Sequence, residues 1–391
     1  MVRSEAALIV QCARARLGEH ETAQVRALVG QPLDWCWVAD AARRHGALPL
    51  LAHHLEAVCP GAVPSPALRV LRERRRRDAW RALALAAELV RVLEALAARG
   101  VRAVALKGPA LGAALYGDLT LRPCRDLDVL VPEAQLPDAE RLLGTFGYLA
   151  KPSIVGPRGA PSAVEWERVL WREDDIVELH ARLSPSDFAF GLDGEALWDR
   201  LARVRIGGRD VPTLGDEDLL LYLCAHGARH RWWRLEWIAD VAELVRSRPG
   251  LDWDAVLERA TRLGGVRLVL LGLTLAADVL DAPVGHALRA RARADRVVPT
   301  LAARMQERLF EPGATQPAHG PEWLRWCAGV RERARDQWRC AWRIVLRPGP
   351  ADWAWIRLPQ RLAGLYYLTR PMRLGWKYLG GRTRAMTRQG S

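Results

Sequence analysis

Lysine is almost missing from this chain of 391 residues. Of its 58 basic residues only Lys107, Lys151 and Lys377 are lysines, and all the others are arginines. This bias, together with abundant alanine and leucine, is typical of a GC-rich genome and by itself indicates no function. It does make a lysine beside a candidate site a residue to examine.

Paired cysteines and long apolar runs are also missing. The seven cysteines include no C-x-x-C pair and are odd in number, so no disulfide framework or zinc site is readable. The longest uncharged apolar run, residues 268–277, is too short to cross a bilayer. The first residues do not resemble a signal peptide. We therefore expect a reduced, cytoplasmic protein.

Basic charge is concentrated in residues 331–391, called the tail below. The formal net charge of the chain is +13, and the tail holds thirteen Arg and one Lys against three acidic residues. The first 330 residues are therefore close to neutral. A generic nucleic-acid-binding protein carries basic charge around its active groove. This distribution argues against nucleic acid as the main partner of the body of the chain.

The sequence pattern changes three times along the chain. Residues 1–99 have helical spacing and include a long helix from residue 65 to about 99. Residues 100–212 mix helical stretches with strand-like runs, at residues 101–108, 125–131, 165–172 and 174–180. Residues 213–330 and the tail are helical again. We predict an α+β protein whose mixed α/β core, residues 100–212, is flanked by N-terminal and C-terminal helical regions.

Two aspartates stand at the start of one predicted strand. The stretch RDLDVLV, residues 125–131, places Asp126 and Asp128 on one face, since strand side chains at i and i+2 point the same way. Two such carboxylates repel each other unless a cation lies between them. Mg²⁺ prefers oxygen ligands and is commonly held by carboxylates together with substrate phosphates. The pair predicts a magnesium site, with a strand-capping pair of aspartates as the alternative.

A third carboxylate is expected on a neighbouring strand. Two metal ions in one site clamp the attacking and leaving oxygens of a phosphoryl displacement, and they need several carboxylates. The run DDIVELH offers Glu178, with Asp174 at the turn as a competing candidate. His180 shares the face of Glu178, and three roles stay open for it: orienting a carboxylate, donating to substrate, or a buried, hydrogen-bonded structural role.

A phosphate-binding element is expected before the aspartates. Lys107 and Gly108 end a strand and open a helix, where free backbone N–H groups and the helix dipole favour an anion. Arg122 and Arg125 flank the aspartates, and they either hold phosphates or neutralise the carboxylates. These four residues form the candidate nucleotide-binding set.

The helical segment 215–248 carries further candidate pocket residues. His226 and His230 have the i, i+4 spacing of a zinc pair, but the segment lacks the H-E-x-x-H motif and an obvious third ligand. We expect this segment to line the nucleotide or acceptor pocket. Asp240 is predicted to form a salt bridge with an arginine there.

An ordered set of motifs resembles a known superfamily. LKGPAL, LYGD, RPCRDLDVLV, GY at residues 147–148 and VELHARL are similar to the nucleotidyltransferase-fold superfamily that includes DNA polymerase β. The similarity is greatest to a bacterial branch of uncharacterised nucleotidyltransferases, and flanking stretches at residues 37–51, 221–245 and 365–378 extend it over most of the chain. The superfamily usually has Gly-Ser where this chain has Lys107-Gly108-Pro109, so Lys107 is a candidate substitute for the serine.

The resemblance implies transfer of an NMP group from an NTP, with Asp126, Asp128 and Glu178 as catalytic residues and as ligands of Mg²⁺ or Mn²⁺. We expect the acceptor to be a hydroxyl or phosphate of a small molecule, sugar or peptide, because such relatives often accompany biosynthetic gene sets. Two alternatives stay open. One is transfer onto RNA such as a tRNA end, which the basic tail favours and the neutral body disfavours. The other is an inactive scaffold of the same fold.

The tail interleaves arginines with aromatic residues, namely Trp353, Trp355, Tyr366, Tyr367 and Trp376. Such a pattern suits a helix at an anionic membrane surface, an RNA-binding segment, or a helix that packs its aromatics on the body. Peripheral contact with the inner membrane surface is therefore one alternative to a purely cytoplasmic location.

Overall fold

The computed structural model describes residues 3–150, 166–185, 188, 190–192, 194–311 and 321–386. Lys151 and residue 165, the predicted start of a strand, lie outside these ranges. Five helices come first: α1 (Ser4–Cys12), α2 (Glu19–Val29), α3 (Trp35–Arg44), α4 (Leu48–Val58) and α5 (Ser65–Ala98). The predicted long helix is thus present as α5, whose basic first half forms ion pairs with Asp40 and Glu56 at the surface.

A mixed sheet of seven strands follows in the described part of the chain. The strands are β1 (Val104–Ala105), β2 (Leu127–Leu130), β3 (Leu149–Ala150), β4 (Glu167–Arg172), β5 (Asp175–His180), β6 (Ala202–Ile206) and β7 (Arg209–Thr213). Their spatial order is β3-β4-β5-β2-β1-β7-β6. The central strand β2 is antiparallel to β1 and parallel to β5. This confirms the mixed sheet of the α+β prediction.

The hairpin β6–β7 is a correction to the prediction, which placed no strand after residue 180. Gly207 and Gly208 connect the two strands, and both have positive φ, of 55° and 80°. Two-residue hairpin turns of this kind need positive φ at both positions, which glycine adopts without strain. The alternating runs on either side are short, and they indicate a hairpin only when the Gly-Gly pair is recognised as a turn.

Short helices connect the strands. α6 (Pro109–Leu111) continues into a π-helical turn (Gly112–Tyr116), and α7 (Leu136–Thr145) and α8 (Glu195–Trp198) follow β2 and β5. The C-terminal helices are α9 (Asp216–Arg229), α10 (Leu235–Ser247), α11 (Trp253–Leu263), α12 (Val266–Leu280), α13 (His286–Ala294), α14 (Val298–Leu309), α15 (Pro321–Val330), α16 (Ala334–Leu346), α17 (Pro350–Trp355) and α18 (Tyr366–Met386). None of the described helices has the length and apolarity to cross a bilayer.

The two faces of β2 pack against different helices. Leu127, Val129 and Val131 belong to a core with the second half of α5 and with α7. Side chains alternate along a strand, so Asp128 and Leu130 point to the other face. Leu130 joins the larger core, which contains α9, α10, α12 and the N-terminal helices. The sheet is therefore sandwiched between α5 and α7 on one face and the helical body on the other, and Asp128 faces the body. The predicted domain limits at residues 99, 212 and 330 stay a prediction.

Candidate active site

The parallel pairing of β2 and β5 brings two carboxylates together. Asp128 lies directly beside Glu178, and Leu130 lies beside His180. Ligand atoms of Asp128, Glu178 and His180 all lie within 4.8 Å of one another. Asp174, the competing candidate, lies at the exposed turn before β5. Of the two candidates, Glu178 and Asp174, the structure therefore places Glu178 beside Asp128.

The carboxylate of Asp128 is buried and has two partners on one oxygen. Oδ1 lies 2.9 Å from Nζ of Lys107 and 3.0 Å from Nε2 of His180. Oδ2 is buried and has no hydrogen-bond partner among the described residues. Burial alone would raise the pKa of Asp128, but the Lys107 charge and the His180 hydrogen bond outweigh it and hold the pKa well below its usual range. Asp128 is thus ionised with one oxygen unused.

The two other predicted carboxylates are more accessible. Burial and the neighbouring Asp128 charge raise the pKa of Glu178 to about 7. The same two causes raise the pKa of Asp126. Asp126 precedes β2 and lines the same cavity, but it is outside the three-residue cluster within 4.8 Å. The structure thus brings Asp126, Asp128 and Glu178 to one cavity and adds His180 to the tightest group.

Gly108 allows the backbone next to Lys107 to lie close to Cys124. Its φ is +62°, and a Cβ at this position would lie 2.9 Å from Sγ of Cys124. Cys124 in turn donates from Sγ to the carbonyl oxygen of Asp126. The α-helical turn that follows has only three residues, so its dipole is small. The predicted phosphate-binding element therefore has the charge of Lys107 but little helix dipole.

Arg122 forms the salt bridge that was predicted for Asp240. Its Nε and Nη2 donate to the two carboxylate oxygens at 2.8 Å each, and the hydroxyl of Tyr116 donates to the same group at 3.0 Å. Arg122 and Asp240 are both buried. The carboxylate that Arg122 binds directly is therefore Asp240 rather than Asp126 or Asp128. Arg125, the other flanking arginine, lines the cavity.

A cavity of about 350 Å³ opens in front of the carboxylates, within the usual range of ligand pockets. One wall comes from the sheet and its loops: Lys107, Gly108, Arg122, Pro123, Cys124, Arg125, Asp126, Asp128, Glu167 and Glu178. The other comes from α9, α10 and the loop between them: His226, Arg229, His230, Arg234, Glu236 and Trp237. The segment 215–248 was predicted to line such a pocket, and His226 lies there as expected.

The sequence analysis missed several cavity residues. Glu167 lies opposite His180 in the antiparallel pair β4–β5 and adds a fourth carboxylate to the same face. Glu167 could have been predicted by assuming a tight turn between the two runs and pairing their residues in register across it. Arg234 and Glu236 form an ion pair of 3.0 Å at the cavity wall. No local sequence motif predicts that Arg234 and Glu236 line the cavity, because their position depends on how α10 packs on the sheet.

Comparison with known proteins assigns the chain to a family. Residues 31–281 match the family described as uncharacterised nucleotidyltransferase. Because the match covers more than half of the chain, this protein belongs to that family and is a nucleotidyltransferase. No curated protein matches the chain.

A solved structure with similarity to the chain is the solution structure of the antibiotic-resistance factor ANT(2'')-Ia. It shares 17% sequence identity, and the similarity covers 57% of this chain and 97% of that chain, with a TM-score of 0.28.

Proposed function

We propose that this protein transfers an NMP group from an NTP to a hydroxyl or phosphate of a small-molecule, sugar or peptide acceptor, with Mg²⁺ or Mn²⁺ as cofactor. The observation that carries the proposal is the pairing of Asp128 with Glu178 in one cavity, where Oδ2 of Asp128 is buried and has no partner within the described part of the chain. An ionised, buried oxygen without a partner is costly unless a ligand binds it.

The residues present fit a divalent cation. Asp128, Glu178 and His180 offer two oxygens and one nitrogen within 4.8 Å, and Asp126 adds a carboxylate at the same cavity. Mg²⁺ takes oxygen ligands, and Mn²⁺ accepts oxygen and imidazole nitrogen. A cation held there would neutralise phosphate charge and lower the pKa of an acceptor hydroxyl. Asp126, Asp128 and Glu178 are the residues we assign to hold it.

The other wall and the Lys107 corner would bind the phosphates. Lys107 and Arg125 line the cavity on the wall of the carboxylates, and Arg229 and Arg234 line the facing wall, so positive charge is present on both sides. A triphosphate between these cations would be oriented and its developing charge stabilised without movement of the protein. Arg122 contributes less directly, since two of its N–H groups are bound to Asp240.

The acceptor is assigned to the side of Glu178. The side chain of Glu178 is 27% exposed, whereas that of Asp128 is 1% exposed. Glu167 lies on the next strand outward and lines the same side. An acceptor entering from solvent would therefore meet Glu178 and Glu167 before it meets Asp128.

The test uses the full-length protein with each of the four α-labelled NTPs, Mg²⁺ or Mn²⁺, and pooled small-molecule, peptide and tRNA acceptors. We expect label transfer and cation-dependent NTP binding by calorimetry. Asp128→Asn and Glu178→Gln should remove transfer, and Asp174→Asn, an exposed carboxylate outside the cavity, is the matched control.

Each outcome decides between the functions. Label on small molecules or peptides supports the proposal, and label on tRNA alone replaces it with the RNA function. Cation-dependent NTP binding without transfer to any acceptor favours the inactive scaffold. Equal NTP binding by wild type and both cavity variants would overturn the assignment of the site.

A further inference from the structure

A row of large apolar side chains faces solvent on α18. Leu368, Met372 and Trp376 follow one another at four-residue intervals and so share one helix face. Their exposed fractions are 64, 67 and 79%. A surface helix of a globular protein normally turns such a face to the core and its charged residues to water. On this helix the arrangement is reversed.

The arginines of α18 hold the helix with its apolar row outward. Arg370 and Arg373 donate to the carboxylate of Asp352 at 2.6 and 2.5 Å, and the Asp352 side chain is 1% exposed. Arg370 also donates twice to the carbonyl oxygen of Ile344 in α16. Charge-assisted contacts of this kind are strong when buried. The outward direction of the row is therefore set by specific inward contacts.

The neighbouring helix α16 repeats the pattern. Trp338 and Trp342, four residues apart, are 73 and 66% exposed. Arg335 and Arg339 are exposed beside them, and Cys340 on the opposite face is buried. Further exposed side chains lie between α16 and α18, namely Trp355, Arg357, Arg361, Leu362 and Leu365, and Tyr367 is exposed in the first turn of α18.

Residues 338–376 contain nine of the fifteen large apolar side chains that the described part of the chain exposes. Single exposed apolar residues are ordinary, but a concentration of this size marks an interaction site. Tyr366 and Trp353 are buried. They pack with Ala363 and Leu358 in a small cluster made of tail residues, whereas Trp355, Tyr367 and Trp376 are exposed.

The charge around this surface is positive. The tail has only three acidic side chains, and all three have partners inside the fold. Glu332 accepts from the backbone N–H groups at the start of α12, Asp336 is buried beside Arg331, and Asp352 binds the two arginines of α18. Arg339, Arg357 and Arg361 are exposed among the apolar side chains, and the three acidic side chains of the tail are engaged elsewhere, so the net charge of this surface is positive.

We propose that residues 338–376 form a surface that binds anionic lipid bilayers at the headgroup level. Tryptophans and arginines favour the membrane interface, and leucine and methionine enter the acyl boundary. RNA would use the aromatic rings and arginines but has no use for Leu362, Leu365, Leu368 and Met372. A second copy of the chain would bring a surface of the same positive charge. No described helix is able to span the membrane, so the contact is interfacial.

The test is flotation of the full-length protein with two kinds of vesicle. One is made of phosphatidylcholine alone, and the other is made of phosphatidylcholine with about 30% of the anionic lipid phosphatidylglycerol. We expect binding to the anionic vesicles, weaker binding at high salt, and a blue shift of tryptophan fluorescence. The triple variant Leu368→Gln, Met372→Gln, Trp376→Gln should lose binding by about tenfold or more, because three inserted side chains are removed. Trp80→Gln, at an exposed tryptophan of α5 (69%), is the matched control.

Circular dichroism and melting curves establish that the variants fold. Absence of binding to both vesicle types, or equal binding by the triple variant, would overturn the proposal. A wild-type dimer in light scattering that the triple variant lacks would assign the surface to a second copy instead. Salt-sensitive binding to RNA that the triple variant loses, without vesicle binding, would assign it to nucleic acid. Nucleotidyl transfer without vesicles should be unchanged in the triple variant, so the two proposals fail independently.

Discussion

Nζ of Lys107 lies 2.9 Å from Oδ1 of Asp128, the oxygen that is also in contact with Nε2 of His180. The second oxygen of Asp128 has no partner among the described residues. A buried carboxylate without a counter-charge is strongly destabilising. Lys107 supplies that counter-charge in this structure, and it does so without occupying the oxygen that a cation would use.

Lys107→Met should make the fold depend on a divalent cation. Loss of the ammonium leaves the buried Asp128 carboxylate with the His180 hydrogen bond but without its lysine counter-charge, which costs on the order of 3–5 kcal/mol. A cation at the site would then meet less electrostatic repulsion and replace the lost charge. We expect a lower melting temperature than wild type in EDTA, and a larger increase on addition of Mn²⁺. Differential scanning calorimetry measures both.

Lys107→Arg is the control, because it keeps the charge. It should show a Mn²⁺ shift close to that of wild type. Equal Mn²⁺ shifts in wild type and Lys107→Met would contradict the idea that Lys107 and the cation neutralise the same carboxylate.

His180 has two candidate roles, direct ligation of a cation and orientation of Asp128. Its Nε2 is 3.0 Å from Asp128 and 3.6 Å from Glu178. Loss of an orienting partner typically weakens metal binding by about 10–100-fold, and loss of a direct ligand removes a bond to the cation, so we expect at least this loss for His180→Leu. The readout is calorimetric titration with Mn²⁺, and Arg182→Gln, two residues further on and exposed, is the control.

A second variant decides which role applies. His180→Gln retains a side-chain N–H that is able to hydrogen-bond Asp128. Recovery of Mn²⁺ affinity in this variant indicates orientation, and continued weakness indicates ligation. Unchanged affinity in both variants would remove His180 from the site.

The central carboxylates followed from the sequence because strand geometry is periodic. Asp126 and Asp128 share a face by the two-residue period, and Glu178 follows from the run at residues 174–180 with the same period. The confirmed mixed sheet then places Asp128 and Glu178 side by side. Glu167 was missed because its position depends on the register across the β4–β5 turn, which the face of a single strand does not specify.

Helices were predicted better than short strands. A helix such as α5 repeats its apolar spacing over many turns, and the long helix was found within one residue of its end. β6 and β7 have five residues each, too few for the alternation to stand out from the neighbouring helical patterns. The α9–α10 wall of the cavity likewise depends on tertiary packing. The sequence analysis therefore named His226 as a pocket residue but did not identify Arg229 and Arg234.

The buried pair of Arg122 and Asp240 should behave as one unit in stability measurements. Asp240→Asn leaves a buried guanidinium without its counter-charge, and we expect a loss of about 3–5 kcal/mol in the free energy of unfolding. Arg122→Met should cost a similar amount by leaving Asp240 unpaired. Because the double replacement Arg122→Met with Asp240→Asn leaves neither charge of the pair, it should be less destabilising than the sum of the single variants. Urea unfolding of all three gives the coupling energy.

The same variants test whether Arg122 also binds nucleotide. If its role is structural, the double variant, once shown to be folded, should bind NTP with an affinity within a few-fold of wild type. A large loss of NTP affinity in a folded double variant would show that Arg122 contacts the phosphates as well. Additive effects of the single variants would contradict the description of a closed buried pair.

His45 makes stability depend on pH in the acidic range. It is buried against Phe310, with ring centroids 4.5 Å apart, and its carbonyl accepts from the backbone N–H of Glu236. Burial, followed by the charges of Arg44 and Arg234, lowers the pKa of His45 to about 4. Since the unfolded chain binds this proton near pH 6.5 and the folded protein does not, stability is fully present above pH 6.5 and is lost as the pH falls to 4.

The expected contribution of His45 to this loss is on the order of 3 kcal/mol. Urea unfolding at pH 7.5 and 4.5 should therefore show a smaller pH-dependent loss for His45→Gln than for wild type, even if the variant is less stable at both values. Other buried histidines, such as His54 and His226, also have lowered pKa values and add to the wild-type slope, so the difference between the two proteins isolates His45. His20→Gln, at an exposed position of α2, should keep the wild-type slope. Equal slopes for wild type and His45→Gln would mean that the contact between the N-terminal helices and α10 tolerates a charged imidazole.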